Sequence, residues 1–193
     1  MYISKQKHVK IKHRIFRFLF ITNMLVLFSG YMFSPIYALF VEKIGGNMLD
    51  AGLASSVFGI TGAIVTFFIG RFVDKTNTSW IILALGYSLK SIAFLVLFFV
   101  NNVVGLIIVQ VLLGMGGAIV WPPFDKLYTR FMDKNKIATA WGMWEAMDYF
   151  VGAIGAGIGG ALTQFLGFKV LFLIMSFITL VSAIGVWYIH KKI

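Results

Sequence analysis

Three ionisable side chains interrupt apolar stretches of this sequence: Lys90, Glu145 and Asp148. A charge left uncompensated in hydrocarbon costs roughly 3 kcal/mol or more, so each is a candidate functional residue. Glu145 and Asp148 stand three positions apart, which on a helix puts them on one face with about 5–6 Å between Cβ atoms. Two carboxylates that close, in a low dielectric, repel one another when both are charged, so one of them is suited to carrying a proton. Asp148 lies deeper in its stretch than Glu145 and is the better proton carrier. Lys90 admits two readings. It belongs to the same proton-coupling set, or it pairs with Glu145 or Asp148 in a buried salt bridge that holds two helices in register. A second set of polar side chains, Asn23, Ser29, Tyr31 and Ser34, precedes Pro35. Asn23 and Tyr31 are candidates for contacting a substrate, against the alternative that such groups bond to neighbouring helices.

The elements that must position these residues follow from composition. The chain has 193 residues, 60% of them hydrophobic and 12% charged, whereas a typical soluble domain is about 25% charged. The apolar residues fall in blocks close to the length an α-helix needs to cross roughly 30 Å of hydrocarbon. The blocks run 15–40, 51–70, 80–100, 103–128, 137–164 and 168–189, which predicts an all-α membrane domain of six transmembrane helices over 15–190. A basic N-terminal tail, 1–14, precedes it, and 191–193 follow. Connections as short as Asn101-Asn102 and the turn at Leu166-Gly167 force neighbouring helices to run antiparallel. The basic tail before an apolar run is read as the flank of a retained first helix, since the run passes Phe33 with no small-residue cleavage site.

The net charge of +10 points to topology rather than nucleic acid, because Lys and Arg cluster in short segments between apolar blocks. The tail from Lys5 to Arg17, the 71–79 loop, the loop flanked by Lys126, Arg130, Lys134 and Lys136, and Lys191-Lys192 share one face. The opposite face offers Lys43 and Lys169. The basic face is therefore assigned to the cytoplasm, with both termini there and the protein in the inner (plasma) membrane. Trp80, Trp121 and Trp187 fall near predicted helix ends, where amphipathic rings favour the interface. Tandem Pro122-Pro123 predict a kink late in the fourth helix, or an end at Trp121. In the fifth helix Gly152, Gly155, Gly159 and Gly160 lie at spacings that let helix backbones approach closely.

Several functions are disfavoured. No histidine lies at membrane depth, no Gly-x-Ser-x-Gly or His-x-x-x-His pattern occurs, and no nucleotide-binding loop is present, so neither an enzyme nor a primary pump is expected. Cysteine is absent, and no metal or cofactor is expected.

The stretch Gly70-Arg71-Phe72-Val73-Asp74-Lys75, closing the second helix, resembles the Gly-x-x-x-Asp-Arg/Lys gating signature of the major facilitator superfamily, with Thr76-Asn77-Thr78 in place of the usual Gly and basic residues. Gln110 followed by Gly114, Gly116 and Gly117 is similar to that family's Arg-x-x-x-Gly segment, with glutamine at the arginine's position. Gly155 to Gly160 resembles its Gly-Pro-x-x-Gly-Gly antiporter motif, with Ala156 where proline stands. Pro35 with Tyr37, and the Gly45-Gly46 turn, are similar to the family's first helix and following loop. The resemblance implies one six-helix repeat of a two-repeat transporter, whose halves are related by an axis along the membrane normal. It further implies a central cavity lined by the first and fourth helices, which makes Gln110 a cavity candidate beside Asn23 and Tyr31, and it turns Asp74 toward a partner's fifth helix. A parallel homodimer of twelve helices would restore the whole arrangement. The expectation is thus a secondary active transporter of a small solute, possible proton coupling included, with the lipid bilayer and a second copy as partners. The alternatives are a heteromer with a diverged second half, and a non-transporting membrane interaction or accessory protein.

Overall fold

The computed structural model describes residues 2–190, with side chains from residue 14 onward. Lys191 and Lys192, and the side chains of Lys5, Lys7, Lys10 and Lys12, lie outside the described residues. Among the described residues every regular element is helical. Helix α1 (Tyr2–Phe33) passes through a 3₁₀ turn at Ser34–Ile36 into the short α2 (Tyr37–Lys43), followed by α3 (Met48–Lys75), α4 (Ser79–Leu97), α5 (Val103–Phe131) and α6 (Ile137–His190). The helix begins well inside the stretch expected to be a tail.

Sequence signals explain most of these boundaries. Pro35 has no amide hydrogen to return to the preceding turn, so the block expected to run unbroken over 15–40 tightens into a 3₁₀ turn. Asn47 caps α3: its side chain accepts from Leu49 N and Asp50 N, while the Asp50 carboxylate accepts from Asn47 N at 2.9 Å. The turn before it needs Gly45, whose φ is 84°. Asn102 caps α5 by accepting from Gly105 N at 2.8 Å. Helix α5 does not end at Trp121. It carries Pro122 and Pro123 and continues to Phe131, so Trp121 sits inside the helix rather than near its end. Lys126, expected beside a loop, lies within α5 and donates through Nζ to the Val73 and Thr76 carbonyls, satisfying acceptors where α3 ends.

Five helical segments are long and apolar enough to cross a membrane, by length and composition. The blocks expected as separate helices over 137–164 and 168–189 form one segment, α6, in which Gly167 is non-helical (φ 81°, ψ 166°) and kinks the chain between two helical arms. The protein is a multi-pass membrane protein.

In the bundle α1 lies along α6, α6 on α4, α4 on α5 and α5 on α3, with a lesser contact between α1 and α5. Two apolar clusters fill it. One gathers Leu19, Leu83, Tyr87, Phe124, Tyr128 and Trp144. The other gathers Met32, Phe33, Phe94, Leu106, Phe172 and Met175. On α4 the interval between the clusters holds Lys90 and Ser91, and Ser91 is clasped to α6: its hydroxyl donates to the Ser176 carbonyl at 2.8 Å and the Ser176 hydroxyl donates back to the Ser91 carbonyl at 2.9 Å. Helix α3 leans on α5 and is otherwise exposed, presenting Phe58, Ile64, Phe67, Phe68 and Phe72 outward.

Candidate functional site

The interval between the apolar clusters opens into a cavity of about 620 Å³. Its lining comes from Tyr31 of α1, Ser34 of the 3₁₀ turn, Tyr37 of α2, Ser55 and Phe58 of α3, Lys90 of α4, and Gln110 and Trp121 of α5. A neighbouring cavity of about 420 Å³ is lined by Tyr31, Ser34, Asp148, Tyr149 and Gly152. Tyr31 and Ser34 line both, so the two share a wall.

Tyr31 is the hinge of the arrangement. Its hydroxyl lies 3.0 Å from Asp148 Oδ1 and 2.9 Å from Oδ2, donating to the carboxylate. The close approach of α1 and α6 that permits this depends on missing side chains. A methyl group at Gly155 would stand 2.9 Å from Tyr31 Cβ, and one at Gly159 would overlap the Met32 carbonyl. A methyl group at Gly152 would meet the Tyr31 ring at an ordinary 3.7 Å, whereas nothing lies within 4 Å of one at Gly160. Of the four glycines expected to serve helix packing, Gly155 and Gly159 are the two against which α1 fits most tightly.

The expected site residues divide as follows. Tyr31, Lys90, Gln110 and Asp148 come together around the paired cavities. Glu145 is exposed, and among the described residues the hydrogen bond to Tyr31 is made by Asp148 and not by Glu145. Asn23 lines neither cavity. It is fully buried and accepts from the Tyr87 hydroxyl at 2.8 Å. No salt bridge joins Lys90 to Glu145 or Asp148 among the described residues, so the ion-pair expectation for Lys90 fails: Tyr31, not Lys90, is the partner of Asp148. The gating stretch closes α3, with Arg71, Asp74 and Lys75 exposed and the Arg71 guanidinium over the Phe67 ring at 4.1 Å.

Sequence reasoning missed the cavity role of Trp121, whose ring also meets Trp144 edge-on at 6.3 Å. Its place beside two prolines suggested a helix end. Ser55 was missed as well, since a lone serine in an apolar helix carries no signal of its own.

Comparison with known proteins adds the following. Residues 19–192 match the family model described as Major Facilitator Superfamily. The chain is 25% identical over 159 residues to the uncharacterized MFS-type transporter YitZ of Bacillus subtilis, covering 82% of this chain and 96% of that one. It is 24% identical over 166 residues to an uncharacterized MFS-type transporter of Methanocaldococcus jannaschii, covering 86% of this chain and 43% of the relative. It is 25% identical over 134 residues to the proton-coupled antiporter flippase LtaA of Staphylococcus saprophyticus, covering 68% of this chain and 33% of the relative. The chain thus spans nearly all of one relative and less than half of the other two.

Proposed function

The chain belongs to the Major Facilitator Superfamily, and from that premise we propose that it is a secondary active transporter of a small solute, coupled to protons through Asp148. The observation that carries this reading is the Tyr31–Asp148 contact on the wall between two cavities. A carboxylate inside a membrane bundle, held by a neutral hydroxyl and facing open space, can take up a proton on one side and release it on the other. The name of LtaA, a proton-coupled antiporter flippase, supports the coupling only by analogy, since the match spans a third of that protein.

Counting the two arms of α6 as separate crossings gives six, and an even number returns the chain to the face it started from. We read both termini as cytoplasmic, a reading supported by the excess of Lys and Arg on that face. Two copies in parallel, related by a two-fold axis along the membrane normal, would supply twelve crossings and enclose the cavities between them. The exposed apolar side chains of α3 and of the first arm of α6, Phe58, Phe68, Phe150 and Ile154 among them, suit such a contact.

The test is reconstitution into vesicles enclosing a pH-sensitive dye, challenged with a panel of small solutes. A solute that moves should carry a proton signal with it in the native protein, and Asp148→Asn should abolish that signal. Undiminished, pH-independent movement in Asp148→Asn would remove the proton role, and a native protein that moves no solute would remove the carrier.

A further inference from the structure

Among the described residues Lys90 is the one cationic side chain that lines the larger cavity. Its stem passes α5 where Gly116 leaves room: a methyl group there would stand 2.7 Å from Lys90 Cγ and 3.2 Å from Lys90 N. Helix α5 therefore gives up side-chain volume at the position where the lysine crosses it. Asp148, the acid that could have neutralised Lys90, is engaged by Tyr31 on the far side of the shared wall. No hydrogen bond or ion pair links the Lys90 amine to a protein group among the described residues. The remaining lining is chiefly apolar, with Leu27, Phe33, Phe94 and Trp121, and Gln110 adds an amide. Its volume lies in the range of pockets that enclose most of a small organic ligand.

A lysine in a membrane bundle with no protein counter-ion is costly, and the cost is relieved when an anion binds beside it. We propose that the cavity takes an amphipathic organic anion, a carboxylate or phosphate group on an apolar body, with Lys90 as the residue that selects the charge. The anionic group docks at Lys90, Gln110 supplies a neutral hydrogen bond, and the apolar body lies against Phe33, Phe94 and Trp121. Tyr31 keeps the anion and the Asp148 carboxylate apart, so their like charges are separated by a ring. The inference rests on the transporter reading above and takes this cavity as the solute's site.

The experiment measures equilibrium binding to the full chain in nanodiscs, with empty nanodiscs subtracted, for three probes of one skeleton: naphthalene carboxylate, naphthalene methanol and naphthylmethylammonium. The native protein is expected to bind the carboxylate about tenfold more tightly than the alcohol, with the ammonium weakest. In Lys90→Gln and in Lys90→Met the carboxylate and the alcohol should bind alike. Equal affinities in the native protein, a preference for the ammonium, or a carboxylate preference that survives both substitutions would overturn the proposal, and so would failure of all three probes to saturate. If neither variant folds, the ranking of the three probes by the native protein decides. Lys90-dependent binding of the carboxylate with no solute movement in vesicles would keep the anion site and remove the transporter reading. Transport of neutral solutes that is indifferent to Lys90→Gln would do the reverse.

Discussion

Tyr31 and Asp148 meet across 117 positions of chain, and that contact marks how far single residues can be read from sequence. An acid at the heart of an apolar stretch announces itself, because nothing local explains the cost of putting it there. Its partner does not, since a tyrosine in an apolar helix is unremarkable until the fold brings a carboxylate to it. The same holds for Lys90, whose isolation from Glu145 and Asp148 depends on which helices face each other. Asn23 shows the opposite failure. Its polarity suggested a cavity, but the facing helix offers Tyr87, and a buried hydrogen bond satisfies the carbonyl end of the amide. The Ser91–Ser176 clasp is a clean case for measurement at this scale, because it touches neither cavity. Ser91→Ala should lower resistance to unfolding by about 0.6 kcal/mol and by no more than about 1.7, read from denaturant titration in detergent, with solute movement unchanged. No loss of stability would mean the clasp contributes nothing beyond what the unfolded chain finds elsewhere in the membrane.

Helices were more legible than residues, for the physical reason that twenty apolar residues in a row have few other fates. Five long segments stand where six apolar blocks were expected, the last two being joined in α6, and most ends moved by a few positions, although α1 reaches back to Tyr2. The break at Ser34–Ile36 and the persistence of α5 through Pro122 and Pro123 depend on how neighbours accommodate a missing donor, which a proline alone does not reveal. The glycines of α6 make a sharp test of helix contact. Gly159→Ala would drive a methyl group into the Met32 carbonyl, and overpacking of that kind costs about 1–3 kcal/mol or more unless α1 retreats. Gly160→Ala meets nothing within 4 Å and should be neutral, or stabilising by up to about 1 kcal/mol through helix propensity. Thermal unfolding of the two variants in one detergent checks the contrast, and equal effects would show that α1 and α6 do not pack as described.

At the scale of the whole molecule, family membership was legible because the order of several imperfect motifs agreed with the order of the helices, even though no single motif was complete. What one chain cannot display is its counterpart. The outward apolar faces of α3 and the first arm of α6 suit lipid and a second copy equally by composition. Native mass spectrometry from nanodiscs should find a dimer as the main species, and Phe68→Glu on α3 should shift it to monomer. A native protein that stays monomeric in lipid would leave the cavities open on one side and return the accessory-protein reading to the front.

The order of contacts along the chain has a consequence for how the protein is made. Helix α1 finds its main neighbour in α6, and α3 finds its own in α5, so each meets its main partner later in the chain than the next long helix. Between Phe33 and Ile137 lie roughly a hundred residues, which at ordinary synthesis speeds is about 5–20 s during which α1 waits in lipid for α6. Through that interval Asp148 has not yet been made, and Tyr31 stands in the bilayer with its hydroxyl unclaimed. Lys90 is made before either acid of α6, Glu145 or Asp148. A nascent chain paused before α6 should therefore be an accessible, unlatched form, and a factor that shields such helices during synthesis would act on this protein in that window.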